Sequence, residues 1–158
     1  MKILESLFVK YIKQLIESNV DFLLIGGYAV NYYGYGRGTG DIDFWLRPTN
    51  ENKIALLDAF KKLGRAEEDL NEISKLDFTK AQVLFIGKEP LRMDFLTKVN
   101  IVNFDEAWKK RKYWPIENFQ VPLVDYDHLI LTKFSTGRTK DKQDLEELQK
   151  INQHKKKK

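Results

Sequence analysis

The chain contains no cysteine. A thiol nucleophile, a disulfide framework, a thiolate zinc site and an iron–sulfur cluster are therefore excluded. Histidine is almost as scarce, present only as His128 and His154, so any metal site must be built mainly from carboxylates. Proline and glycine are too few, at 4 and 9 residues, for a collagen-like or low-complexity chain, and 42% apolar residues in a length of 158 are enough to bury a core. No apolar run approaches the roughly 18–20 residues that cross a bilayer. The opening Met1-Lys2-Ile3-Leu4-Glu5 interrupts its apolar residues with charges, unlike a signal peptide. A soluble cytoplasmic protein with no membrane partner is the expectation.

The formal charge of +4 points toward a polyanion only until its position is considered. Lys155 to Lys158 account for it, leaving 23 basic against 23 acidic side chains in the rest of the chain. The basic signal is thus a tail, expected to be disordered over 154–158, and it lends a nucleic-acid partner only weak support.

Apolar periodicity predicts an amphipathic helix through Leu4, Leu7 or Phe8, Tyr11, Ile12, Leu15 and Ile16, ending near Ser18-Asn19. Phe22 to Ile25 reads as a buried strand stopped by Gly26-Gly27, with a short helix from Tyr28 to Tyr33 and a glycine-rich loop from Gly34 to Gly40. Asp41 to Leu46 alternates as a strand. Thr49 or Asn50 caps a helix carrying Ile54, Leu57, Phe60 and Leu63, with Gly64 as its stop. After a polar stretch over 65–80, Gln82 to Ile86 and Leu91 to Thr97 form two strands joined by a Gly87-Lys88-Glu89-Pro90 turn. Phe104 to Arg111 is helical, and Val121 to Val124 is a short extended piece whose Pro122 favours an edge. Asp125 or Asp127 starts a helix through Phe134, and Thr139 caps a last one from Lys140 to about Gln153. The expected fold class is α+β (mixed α/β): one domain over 1–153, a mixed sheet flanked by helices, with helices at its C-terminal end.

Two aspartates in one strand carry the chemistry. Asp41 and Asp43 alternate with Ile42 and Phe44, so both carboxylates point to one face, roughly 6–7 Å apart. Like charges so placed repel unless something positive lies between them. A hard divalent cation, Mg²⁺ or Mn²⁺ in its place, meets that need, because carboxylates and substrate phosphates suit it. Asp94 sits in the apolar context Met93-Asp94-Phe95. If its strand neighbours the first, the three acids make a metal-binding trio able to hold two ions about 3.5–4 Å apart. A salt bridge from Arg92 to Asp94 is expected to compete only weakly, on the view that neighbouring strand residues face opposite ways. Gly26 and Gly27 open a short helix where bare N–H groups can meet a phosphate, and Arg37 and Thr39 add a guanidinium and a hydroxyl. Neither a dinucleotide-binding nor a P-loop glycine spacing is present.

This segment, Gly26-Gly27-x-Ala29 followed by Gly34, Arg37, Thr39 and Asp41-Ile42-Asp43, resembles the nucleotidyltransferase fold of the DNA polymerase β superfamily. Within it the segment is most similar to the small bacterial AbiEii-toxin-like and minimal nucleotidyltransferases. The chain departs from that pattern at Tyr33, where histidine is common, and at Gly40, where a basic residue is common. Residues 129–148, with Lys133, Arg138 and the run Lys140-Asp141-x-x-Asp144-Leu145, resemble the family's closing helices. The resemblance implies Asp41, Asp43 and Asp94 as catalytic metal ligands and Gly26, Gly27, Arg37, Thr39, Lys133 and Arg138 as nucleotide-binding residues. It also implies an NTP, ATP foremost, as donor and release of pyrophosphate to form a product on a protein, RNA-end or small-molecule hydroxyl.

Plainer roles stand beside these. Lys133 and Arg138 also fit a solvated helix face, and Asp141 and Asp144 suit the positive end of a helix dipole. Tyr28, Tyr32, Tyr33 and Tyr35 fit packing, Phe44 and Trp45 the sheet, Trp108 and Trp114 a cover over it, and His128 the surface. Two competing functions remain: a catalytically silent nucleotide- or partner-binding module, and a toxin–antitoxin component with a cognate protein partner.

Overall fold

The computed structural model describes residues 5–36, 38–134 and 136–156. The strongest local signals lie where apolar side chains run without interruption. Phe22–Ile25 (β1) buries all four of its residues, so it needs neighbours on both edges and both faces. It has them. Ile42–Leu46 (β2) runs antiparallel on one side and Phe119–Leu123 (β6) parallel on the other. Val83–Ile86 (β3), Met93–Leu96 (β4) and Lys112–Ile116 (β5) complete a mixed six-stranded sheet in the order β3-β4-β2-β1-β6-β5.

Ser6–Glu17 (α1) lays Phe8, Ile12 and Leu15 into the core, each fully buried. Gly26–Tyr32 (α2) follows β1 directly, and Asn50–Lys62 (α3), Glu67–Ser74 (α4) and Phe104–Lys109 (α5) pack around the sheet. Tyr126–Lys133 (α6) and Thr139–Lys156 (α7) close the chain. An aromatic chain ties these layers together: Phe22 meets Phe44 edge-on at 5.5 Å, Phe44 stacks on Phe95 at 4.7 Å, and Phe60 of α3 meets Phe95 at 5.4 Å. Among the described residues no helix is long and apolar enough to cross a membrane.

Several expectations are corrected. In α3 the Thr49 cap holds, its side chain accepting from the Asn52 N–H, and Gly64 adopts φ +80 past the helix end. The buried stripe, however, is Asn52, Leu56, Ala59 and Phe60, while Ile54 is 66% exposed. Asn52 turns inward because its amide accepts from the Asp21 N–H and donates to the carbonyls of Asp21 and Arg47, pinning the two loops beside β1 and β2. The polar stretch 65–80 contains α4, which buries only Ile73 but begins with Glu67, Glu68 and Asp69 at its positive end.

Strand β6 lies inside the sheet, not at an edge. Pro122 is tolerated there because the registered contact with β1 is at Leu123, beyond the proline. The edge belongs to β5, which carries its own Pro115. At the C-terminus α7 continues through Lys156, so the expected tail is helical at residues 154–156. Basic side chains there complement the negative end of the helix dipole. Lys157 and Lys158 lie outside the described residues.

Candidate active site

Strands β2 and β4 are parallel neighbours, and their register sets Asp43 directly opposite Asp94. Asp41 lies two residues before Asp43 on the same face, just ahead of β2. The alternating partners Ile42, Phe44, Met93 and Phe95 are all buried beneath the sheet. Alternation along the chain thus becomes a division between an apolar core face and an acidic upper face.

The glycine pair is shaped to this acid cluster. Gly26 has φ +71, and a Cβ placed on it would lie 2.0 Å from Asp43 Oδ2. A Cβ on Gly27 would lie 2.5 Å from Thr39 Oγ1, which donates to the Asp41 carbonyl at 3.1 Å. Only bare backbone permits α2 to begin so close to the carboxylates. Gly40 is also confined, since a Cβ there would meet the Pro90 carbonyl at 3.0 Å.

A cavity of about 650 Å³ opens above these groups. Its walls bring together Gly26, Gly27, Thr39, Asp41, Asp43, Asp94, Lys133 and Arg138, every expected site residue except Arg37, which lies outside the described residues. Glu89, Arg92, Lys98, Asn100 and Lys140, to which the sequence reading gave no binding role, also line it. The Asn100 amide donates to the carbonyls of Leu131 and Phe134, fastening the loop after β4 to the end of α6.

Arg92 overturns the expectation of a weak competitor. Its Nε lies 2.8 Å from Asp94 Oδ1, and its Nη2 lies 3.2 Å from Asp94 Oδ2 and 3.1 Å from Asp41 Oδ2. Arg92 and Asp94 are two residues apart, not adjacent, so alternation puts them on one face. That spacing was the overlooked signal.

The carboxylates differ in environment. Asp43 is pushed up to about 7, first by burial, then by the charge of Asp94 and a hydrogen bond shared with it, then by Asp41; Lys133 pulls the other way. Glu89 is raised as well, by desolvation and then by its hydrogen bond and charge contact with Asp41. Asp41 Oδ1 is buried and has no hydrogen-bond partner among the described residues.

Lys133 is not on a solvated face. Its side chain is 7% exposed, and its Nζ lies 3.1 Å from Asp141 Oδ1 and 2.9 Å from Asp144 Oδ2. Burial alone would raise Asp141, but Lys133, Thr136 and Arg138 together bring it below its ordinary value. Asp141 does lie in the first turn of α7, yet it and Asp144 are buried partners of Lys133 rather than solvated dipole charges. Arg138 stays at the rim, 69% exposed, with its Nε 3.5 Å from Asp141 Oδ2. His128 is also buried rather than superficial. Its Nδ1 lies 2.5 Å from Asp125 Oδ1, the same carboxylate that caps α6. The Tyr33 hydroxyl donates to the Val124 carbonyl and Tyr28 is fully buried, so these tyrosines serve packing.

Among the described residues no three acidic or histidine side chains already converge as metal ligands; the Arg92 guanidinium spans Asp41 and Asp94 instead. Two features nevertheless fit a hard divalent cation. The donor set is entirely carboxylate oxygen, and Asp41 Oδ1 is a buried acceptor lacking a donor, an arrangement a cation would satisfy.

A family described as "Nucleotidyl transferase of unknown function (DUF2204)" matches residues 5–158. No curated protein matches the sequence significantly. Among solved structures, a lincomycin-bound lincosamide antibiotic adenylyltransferase, LnuA, is similar with a TM-score of 0.50 at 17% identity, over 95% of this chain and 99% of that one. At that identity the likeness concerns the fold.

Proposed function

The chain belongs to this nucleotidyl transferase family and is a nucleotidyltransferase; from that premise we propose that it moves a nucleoside monophosphate from ATP to a hydroxyl of a small molecule, releasing pyrophosphate. The observation that supports this most is the register pairing Asp43 with Asp94, with Asp41 on the same face, beside a glycine pair where any Cβ would crowd Asp43 or Thr39. A small acceptor is in keeping with the likeness to LnuA, a lincosamide antibiotic adenylyltransferase with lincomycin bound.

In this reading Asp41, Asp43 and Asp94 hold Mg²⁺ or Mn²⁺, which when bound neutralises phosphate charge and acidifies a nearby hydroxyl. The backbone at Gly26 and Gly27, with Thr39, receives the triphosphate, and the cations of Lys133 and Arg138 balance its charge. The acceptor oxygen forms a bond to the α-phosphorus while the bond to the departing pyrophosphate breaks. Asp94 takes the hydroxyl proton.

The test is incubation with each α-labelled NTP, Mg²⁺ or Mn²⁺ and a small-molecule extract. Label should pass from ATP to a metabolite and vanish in Asp43→Ala. Transfer that survives this substitution sinks the assignment. The finer kinship proposed, with AbiEii-like proteins, rests on the Gly26 to Asp43 segment; a toxin role predicts growth arrest relieved by Asp41→Ala. One observation favours a silent nucleotide-binding module: Arg92 already neutralises two of the three acids. ATP binding without any pyrophosphate release would decide for it.

A further inference from the structure

Arg92 stands one residue ahead of β4, and its backbone is fixed by the Ile42 N–H, which donates to the Arg92 carbonyl at 3.1 Å. Any rearrangement at this position is therefore one of the side chain. The oxygens the guanidinium occupies, both of Asp94 and Oδ2 of Asp41, belong to two of the three carboxylates that would hold the cation, and the open acceptor Asp41 Oδ1 is on one of the same groups. The two cannot share them, because like charges a few ångströms apart in a half-desolvated cavity repel strongly.

A second acceptor is already at hand. Arg92 Nη1 lies 3.6 Å from Glu89 Oε1, and the Glu89 side chain is 63% exposed against 13% for Asp94. The Phe85 ring, itself 61% exposed, lies with its centroid 4.9 Å from the guanidinium carbon and offers a face along which the group can turn.

We propose that Arg92 is a displaceable counter-ion and Glu89 its receiver. Arg92 holds Asp41 and Asp94 together before loading and passes to Glu89 when a divalent cation takes those carboxylates, so that metal entry is set by an exchange of ion pairs within the chain. Both are positioning residues, acting through Asp41 and Asp94, and the inference rests on the nucleotidyl-transfer reading above.

The test is a Mn²⁺ titration of the intact protein followed by electron paramagnetic resonance, with folding checked by circular dichroism. Arg92→Gln should tighten Mn²⁺ binding about tenfold, and Glu89→Gln should weaken it about threefold in the natural chain but leave it unchanged beside Arg92→Gln, a coupling typical of residues sharing one network. Arg92→Lys should restore much of the natural affinity. An equal effect of Glu89→Gln in both backgrounds, or weaker binding in Arg92→Gln, overturns the exchange while leaving the metal-dependent reading intact. Failure of the natural chain to bind Mn²⁺, with or without ATP, overturns both. Should Arg92→Gln not fold, the pairing of Glu89→Gln with Arg92→Lys decides. The smaller, single-point charge of lysine grips Asp94 and Asp41 less firmly, so Glu89→Gln must weaken binding less there than in the natural chain, and an equal loss refutes the proposal.

Discussion

The cavity has two clusters of one cation held by two or more carboxylates, and they are built to opposite specifications. Lys133 with Asp141 and Asp144 is sunk between α6 and α7, with side-chain exposures of 7%, 8% and 1%. Arg92 with Asp41, Asp94 and Glu89 sits at the mouth, where Arg92 is 34% and Glu89 63% exposed. The inner cluster cannot change partners without stranding a buried charge, a loss of several kcal/mol. The outer one keeps its cation and its Glu89 acceptor near water, although Asp94 is only 13% exposed, so Arg92 can change partners without leaving solvent. The same residue chemistry thus gives a fixed strut in one place and an exchangeable clasp in the other, and burial decides which.

The largest expected effect breaks the strut. Lys133→Met should destabilise the protein by about 3–5 kcal/mol, because two buried carboxylates lose the cation they share at Lys133; urea unfolding measures it, and a loss under about 1 kcal/mol would show the cluster to be solvated.

The next concerns the acid pair itself. Asp43 binds its proton more tightly folded than unfolded, since its pKa rises from 3.8 to about 7. Between those values the folded state holds more protons, so stability of the protein without added metal falls as pH climbs, by at most about 1.4 kcal/mol per pH unit, and levels off above 7. Melting curves from pH 4 to 8 should show this slope, and Asp43→Asn should lack it. Mn²⁺ competes with that proton, so its affinity should grow over the same range.

Gly26→Ala should cost roughly 1–3 kcal/mol from positive φ and the clash with Asp43, and it should depress nucleotide transfer far more than Gly36→Ala, whose Cβ meets nothing within 4 Å. The smallest effect belongs to the clasp: Arg92→Gln should move the urea unfolding midpoint less than any of the variants above. A much larger loss would make Arg92 a second strut and erase the contrast.

What could be read without coordinates followed from periodicity. The unbroken apolar run of β1 and the alternation of Asp41-Ile42-Asp43-Phe44 and Met93-Asp94-Phe95 are local patterns, and each gives both the strand and the face its acids occupy. What escaped depends on distant partners. Asn52 is buried and Ile54 exposed because two loops offer the amide its hydrogen bonds, which no window along α3 contains. Strand β5 joins the sheet through its pairing with β6, despite Pro115 and a basic start. His128 and Lys133 are each buried by an acid, one three residues away and the others on the next helix.

The parallel pairing of β2 with β4 obliges the polypeptide to make a long excursion between them. From Arg47 to Gln82 it builds α3 and α4 on the outer side, and no residue of that stretch lines the cavity. This arm of the domain is therefore where insertions, tags or fluorescent reporters can be accommodated at little cost to catalysis, with the exposed turn after Gly64 as the natural point of entry.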